Sequence, residues 1–461
     1  MKRLHIFAFL SAAALLSSCG LHTQYERPEV DTKGLVRDVL SATDTLVVRD
    51  TASFGNLPWR TVFTDPYLQT LIQQGLERNV NMLNAALNVK MVEEQLKVAK
   101  MAFLPQITFN PQGTLSSWDF GKVSQIYSLP VTASWTADLF STLLNQKRSA
   151  QVALLATKDY QLAVQTQIIS GIANLYYTLL MLDRQLEVVN GMTTLTKDTW
   201  DIMKLQMELG RYRSTSVQSA EAGYYSVLAR AEDLKRSIRE SENALSLLIG
   251  QPAQAIARGK LDDQHLPTNF STGVGIQLLA NRPDVHTREM ALAQCFYDIN
   301  VARSRFYPSI TINAQGSYTN SGGGMIVNPG KILASAVGSL VQPIFMKGQL
   351  TAGLRVAEAQ YEQAYNNWQN AIYQAGSEVS NALVQYNSYD AKSKLDAHQV
   401  EVLQKNVEDT KALVNQSSST YLEVITAQTN LLNAELSKVN DDFSKMQAVV
   451  ALYQALGGGT K

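Results

Sequence analysis

The most reactive side chain in the sequence is a cysteine placed behind small residues. Leu16-Ser17-Ser18-Cys19 follows a basic start, Met1-Lys2-Arg3, and an apolar run from Ile6 to Leu16. That order reads as an export signal ending in a lipobox, where the Cys19 thiol takes a lipid and becomes the first mature residue. The alternative is an ordinary secretory signal in which the cysteine is coincidental. Gly20 after Cys19 permits sorting to an outer membrane. The only other cysteine, Cys295, falls within a helical pattern, so no disulfide framework or thiolate metal site is expected.

Catalytic chemistry has little to stand on. The five histidines (His5, His22, His265, His286, His398) are scattered without HExxH or paired-ligand spacing, and there is no GxSxG, Walker loop or GxGxxG. The expectation is a protein with no catalytic residues, no metal ligands and no cofactor. Lys plus Arg and Asp plus Glu number 40 each, so net charge points to no nucleic acid. Arg282-Pro283-Asp284 looks like a motif, but proline followed by an acid suits entry into a helix. Gly322-Gly323-Gly324 reads as a turn between strands, and Gly457-Gly458-Gly459 as a helix end.

The elements that would position any site come in duplicate. Residues 98–113 (VAKMAFLPQITFNPQG) and 301–316 (VARSRFYPSITINAQG) both pass from a helical pattern through Phe and Pro into alternation. Pro105 and Pro308 stand 203 positions apart, which reads as two copies of one unit. In the first copy Ile107, Phe109, Pro111 and Leu115 share a face opposite Gln106, Thr108, Asn110, Gln112, Thr114 and Ser116. Tyr127, Leu129, Val131, Ala133 and Trp135 alternate in its partner strand. The second copy sets Ile310, Ile312, Ala314 and Tyr318 against Ser309, Thr311, Asn313, Gln315 and Ser317; its partner, about residues 333–345, alternates poorly. Tilted strands of this length cross a bilayer. A soluble, half-buried hairpin would alternate in the same way.

Long helical pairs follow each hairpin. Ile168, Ile172, Leu175, Leu179, Leu182, Leu186 and Val189 step by four and three, as do Leu432, Leu436, Val439, Phe443, Met446, Val450 and Tyr453. Such spacing predicts coiled-coil packing over tracts of ~70 residues, each roughly 100 Å long. Ile249-Gly250 and Leu456-Gly457 repeat at an offset of 207, so a few residues separate the copies in length. The expected organisation is a signal peptide (1–18), an extended lipid-anchored leader (19–64) and two repeats. The first repeat (65–265) has strands at about 105–137 and helices at about 141–250. The second (266–461) has strands at about 308–345 and helices at about 348–456.

Four amphipathic strands cannot close a barrel in lipid, because known closed barrels begin at about eight strands. An open edge there leaves amides unpaired at several kcal/mol each. Copies must therefore share a barrel, as a dimer of eight strands or a trimer of twelve. The polar inner faces favour twelve, which leaves an aqueous lumen. The fold class expected is mainly α with a membrane β-barrel, continued by a helical barrel.

Several segments carry a resemblance. They are Tyr25-Glu26-Arg27-Pro28, Asn281-Arg282-Pro283-Asp284-Val285, Ile299-Asn300-Val301-Ala302-Arg303 running to Phe306-Tyr307-Pro308, Gln342-Pro343-Ile344-Phe345 with Gly348, and residues 451–459. Across nearly the whole mature chain the sequence resembles the TolC-like outer membrane factors, specifically the NodT-type efflux lipoproteins. The resemblance implies a homotrimer with a twelve-stranded barrel and a twelve-helix periplasmic tunnel. Its implied partners are outer-membrane lipid, a periplasmic adaptor (membrane fusion protein) and an inner-membrane pump. The implied role is passive conduction of small toxic compounds to the exterior. A type I protein secretion duct and a non-conducting, lipid-anchored coiled-coil scaffold are the alternatives. By resemblance, Gly210, Arg211, Ser216, Ser417 and Tyr421 belong to helical tips that dock the adaptor, and Leu422, Glu423 and Thr426 to an aperture. Leu422 matches an apolar ring, though heptad phase equally reads it as a core residue. Thr426 departs from a position often acidic in the family, with Glu423 as the substitute.

Overall fold

A computed structural model describes residues 23–30, 35, 54–117, 119–267, 282–322, 325–415 and 421–460. Cys19, Asn281, Ser417 and the Gly323-Gly324 turn lie outside the described residues. The elements are α1 (Trp59–Val62), α2 (Pro66–Arg78), α3 (Val80–Met101), β1 (Gln106–Phe109), β2 (Gln112–Ser116) and β3 (Ser124–Ala137). There follow α4 (Thr142–Glu208), α5 (Ser214–Leu248), α6 (Pro283–Ser304), β4 (Ser309–Gly322), β5 (Met325–Val341), α7 (Gln349–Asn415) and α8 (Tyr421–Ala455). Among the described residues no helix is long and apolar enough to cross a membrane.

Helix lengths record the duplication. Helices α3 and α6 have 22 residues each and start 203 positions apart. Helices α4 and α7 have 67 each, and α5 and α8 have 35 each, all at an offset of 207. The entire length difference therefore lies in the hairpins. Register narrows it further: Ser116 faces Ser124 across the first turn, whereas Thr319 faces Lys331 across the second. Helix entry repeats too. Ser141 (φ 59) and Gly348 (φ 79) are both left-handed just before α4 and α7, and their carbonyls accept from Asn145 N and Ala352 N at 3.0 and 2.9 Å.

The chain forms two compact units, and each mixes parts of both repeats. The unit made of 1–30, 87–158 and 286–370 holds one antiparallel sheet. Its order is β1-β3-β4-β5, with β2 also pairing β3. The first strand is interrupted at residues 110 and 111, where Asn110 N bonds to Pro130 O and Pro130, having no N–H, cannot return the bond. Register is unaffected: Phe109 faces Val131 on one side of the break and Gln112 faces Ser128 on the other. β5 ends at Val341 rather than near 345, since β4 starts at Ser309 and leaves the later residues without a partner. The leader residues 23–30 lie extended against α6. Arg27 donates two 2.7 Å hydrogen bonds to Glu289, and the Tyr25 ring meets Phe296 edge-on at 6.0 Å.

The other unit, of 31–86, 159–285 and 371–461, carries the helical core. Here the extended leader needs correction: Phe54–Asn56 is a 3-10 turn and α1 is helical. Phe54, Trp59, Val62 and Phe63 are buried. Phe54 and Phe63 pack edge-on against Tyr453, whose hydroxyl donates to Leu57 O at 2.7 Å. The predicted 4-3 spacing is realised in one cluster that joins Leu182, Val189 and Met192 to Val227, Leu234, Leu432 and Leu436. Asp65 caps α2 through Tyr67 N at 2.8 Å and accepts the Tyr176 hydroxyl at 2.6 Å.

Candidate functional site

The sheet is the first candidate, and its two faces differ in chemistry. Alternation puts Ile107, Phe109, Leu115, Val131, Ile312 and Leu340 on one face, all of them exposed large apolar side chains. The opposite face is laced by hydroxyls on β1 to β4, while β5 adds the exposed Leu333, Val337 and Val341 to it. Thr108 and Thr132 Oγ1 are 2.6 Å apart, and Ser128 and Ser317 Oγ are 2.8 Å apart. Near the turn a register shift between Thr319 and Ser321 is bridged by Asn320. Its Oδ1 accepts from Tyr127 N at 3.0 Å and its Nδ2 donates to Gln125 O at 2.9 Å. Among the described residues β5 and the β1/β2 strand each have one unpaired edge. Small hydroxyls that satisfy one another present a wettable surface, and the apolar face opposite matches lipid.

The helical turns are the second candidate. Gly210 takes φ 71 and ends α4 in a Schellman motif, with Arg211 N donating to Gln206 O and Gly210 N to Met207 O, both 2.9 Å. Gly250 and Gly457 end α5 and α8 in the same way, at φ 70 and 77. Arg211 is exposed, and Ser216 is half-buried with its N–H on Arg213 O at 3.1 Å. The start of α8 packs against the first turn: Tyr421 meets Tyr212 edge-on at 4.8 Å, over a cluster of Met203, Val217, Ala220 and Val424. Tyr421 is thus a buried residue of this subunit.

Leu422 is 69% exposed. Within this subunit Tyr421 and Val424 form the buried face of α8, and Leu422 lies outside it. Glu423 and Thr426 share the exposed side with Leu422, and the Thr426 hydroxyl donates to Leu422 O at 2.8 Å. The structure therefore groups Leu422, Glu423 and Thr426 on one surface and assigns Tyr421 to the core.

Sequence reasoning overlooked a set of buried charges. The Arg282 side chain is 7% exposed. It donates to both Asp284 oxygens at 3.0 and 2.7 Å, to Glu378 at 2.7 Å and to Ala455 O at the end of α8 at 2.9 Å. Burial works against the charged guanidinium, but bonding to Asp284 and the charges of Asp284 and Glu378 outweigh it and hold the pKa above its usual range. Arg258 links Asp183 on α4 to Glu242 on α5, at 2.5 and 2.7 Å. Asp396 on α7 lies beside Asp441 on α8, with Lys392 2.9 Å from Asp441 and the Ser437 hydroxyl 3.3 Å from Asp396. The neighbouring Asp441 and burial push the Asp396 carboxyl above the usual carboxylate range. An arginine beside a proline was the only signal available for the first of these.

Comparison with known proteins places the whole chain. The cation efflux system protein CusC of Escherichia coli O157:H7 is 26% identical over 454 residues, covering 97% of each chain. The probable outer membrane lipoprotein SilC of Salmonella typhimurium is 24% identical over 458 residues, covering 98% of each. The crystal structure of CusC, a protein described as forming a transmembrane channel, superposes with a TM-score of 0.84 at 24% identity. It covers 95% of this chain and 99% of that one. The family described as outer membrane efflux protein matches residues 71–251 and 275–458, one segment in each repeat. Its two matched segments, the duplicated hairpin-and-helix unit and the shared fold agree, and the chain belongs to the outer membrane efflux protein family.

Proposed function

We propose that this protein is the outer-membrane channel subunit of a tripartite efflux system, conducting small toxic compounds outward without catalysis of its own. The observation that carries the reading is the sheet: one apolar and one hydroxyl-rich face, with unpaired edges at β1/β2 and β5. In lipid such edges must be paired, each orphan amide costing several kcal/mol. Three copies give twelve strands and a lumen wide enough for water. The helical turns at Gly210 and at the start of α8 then dock a periplasmic adaptor that connects to an inner-membrane pump, and Cys19 anchors the chain to outer-membrane lipid. Leu422, Glu423 and Thr426 line the aperture, with Leu422 forming its apolar ring.

Reconstitution of the purified protein into planar bilayers tests the reading. Stepwise conductance is expected. A silent membrane holding intact protein would leave the coiled-coil scaffold as the better account.

A further inference from the structure

Two chain crossings meet where the sheet gives way to helices. Residues 138–141 carry β3 into α4, and residues 305–308 carry α6 into β4. Rings hold the crossings together: Phe140 and Tyr307 stack with centroids 4.8 Å apart and planes 15° from parallel. Hydroxyls tie the helix ends behind them. Thr142 Oγ1 donates to Ser304 Oγ at 2.8 Å, and Ser304 Oγ donates to Val301 O at 2.8 Å. Beside the stack lies a cavity of about 260 Å³.

The walls of the cavity define what fits it. Thr136, Ser309 and Val341 line it from the hydroxyl-rich face of the sheet, Thr136 standing opposite Thr311 and Ser309 opposite Val341. The cavity therefore opens on the side that the proposed barrel turns to its lumen. Leu139, Leu143, Pro343 and the stacked rings supply apolar wall. Two charged residues complete the lining. Asp138 is engaged by the start of α4, its carboxylate accepting from Leu143 N and Leu144 N at 3.0 and 2.8 Å. Arg305 is exposed and, among the described residues, makes no ion pair.

We infer that this cavity binds anionic, ring-bearing compounds on their way through the channel, the class being aromatic carboxylates and sulfonates. The inference rests on the channel reading above and adds a substrate class to it. Arg305 offers charge-assisted, forked hydrogen bonds to the acid group. The ring lies against apolar wall beside Phe140 and Tyr307, where aromatic contact adds to burial. Drug-sized sites measure about 300–1,000 Å³, so this smaller cavity admits one or two fused rings. An exposed guanidinium is screened by salt, which keeps binding weak. Weak binding suits a conduit, because the compound must also leave. A cationic ring meets Arg305 with the wrong sign, and the one carboxylate on the wall is already bonded twice.

Equilibrium dialysis of 1-naphthoate against the full-length protein in detergent tests the site. Saturable binding is expected, weakened roughly tenfold in Arg305→Gln, the low end for a charge-assisted bond at an exposed position. Arg305→Lys should keep most of it, and Val341→Trp, which fills the cavity and leaves the charge, should lose it. 1-Naphthylmethylammonium, the same ring with the opposite charge, should bind at least about tenfold more weakly than naphthoate. Arg305 has no ion pair to lose, so an unchanged melting temperature is expected to show that Arg305→Gln still folds. Equal binding of the two ions, or equal naphthoate affinity in Arg305→Gln, overturns the inference. In planar bilayers naphthoate should reduce the wild-type current and leave that of Arg305→Gln unaffected. A conducting channel indifferent to saturating naphthoate removes the cavity from the path and overturns the inference while the channel stands. A silent membrane, with Arg305-dependent binding intact, sinks the channel and leaves the site.

Discussion

Substituting Leu422 by serine tests whether the exposed leucine closes the aperture. Full burial of a leucine side chain contributes about 1.5–3 kcal/mol. With 69% of Leu422 in solvent, about two thirds of that, roughly 1–2 kcal/mol per copy, remains to be gained when three copies meet in a ring. Such a ring would favour the closed state by about 3–6 kcal/mol, and at about 1.4 kcal/mol per tenfold this is a factor of roughly 10²–10⁴ in the closed-to-open ratio. Serine buries almost no apolar surface, so Leu422→Ser should convert rare openings in planar bilayers into sustained conductance. Leu422→Met, similar in size and apolar, should keep the closed state. Val424→Ala is the contrasting control: Val424 is 1% exposed within the subunit's own cluster, so its loss should lower thermal stability and leave closure in place. A Leu422→Ser channel with unaltered closed-state occupancy would refute the ring, whatever its single-channel conductance.

Other expectations follow from the buried charges and the anchor. Arg282→Leu keeps bulk but strips the buried Ala455 carbonyl of its donor, which costs about 1–3 kcal/mol. Asp284 and Glu378 are more than half exposed and rehydrate, so the cost stays below the roughly 3–5 kcal/mol of a broken, fully buried pair. Thermal loss of helical circular dichroism checks this, and Glu378→Gln proving equally damaging would count against the clamp on α8. Asp396 has a raised folded-state pKa, so its favourable contribution exists when it is protonated and is lost as pH rises through that value. Asp396→Asn should therefore raise the melting temperature at about pH 7 and lose its advantage toward about pH 4; a gain confined to acid would reverse the assignment. Cys19→Ala should abolish incorporation of labelled palmitate and weaken assembly, and lipid label on the variant would exclude Cys19 as the acceptor.

The strands and long helices were legible because their signals are local. Alternation from Gln106 to Ser116 needs no knowledge of a partner, and the 4-3 steps through Ile168 and Leu182 are set within one helix. What escaped depends on distant neighbours. At the start of α8, Tyr421, Leu422, Val424 and Ile425 are apolar at four of five positions, so periodicity leaves the buried face undetermined. Tyr212, in the turn between α4 and α5, selects Tyr421 and turns Leu422 outward. The end of β5 is set by where β4 begins. Arg282 looked like helix-entry chemistry because its acceptor at Ala455 lies 173 residues away. In the leader, Pro58 and Gly55 concealed a four-residue helix too short to show a period.

The uneven hairpins also mark where the polypeptide accepts foreign sequence. One copy gained length solely between Thr319 and Lys331, while every paired helix kept its residue count. An epitope grafted into that stretch would leave the twin helices in step, whereas one inserted into α4 or α7 would rotate all later residues by about 100° for each added position. An insertion between Thr319 and Lys331 is thus expected to leave the melting temperature of the helical part unchanged.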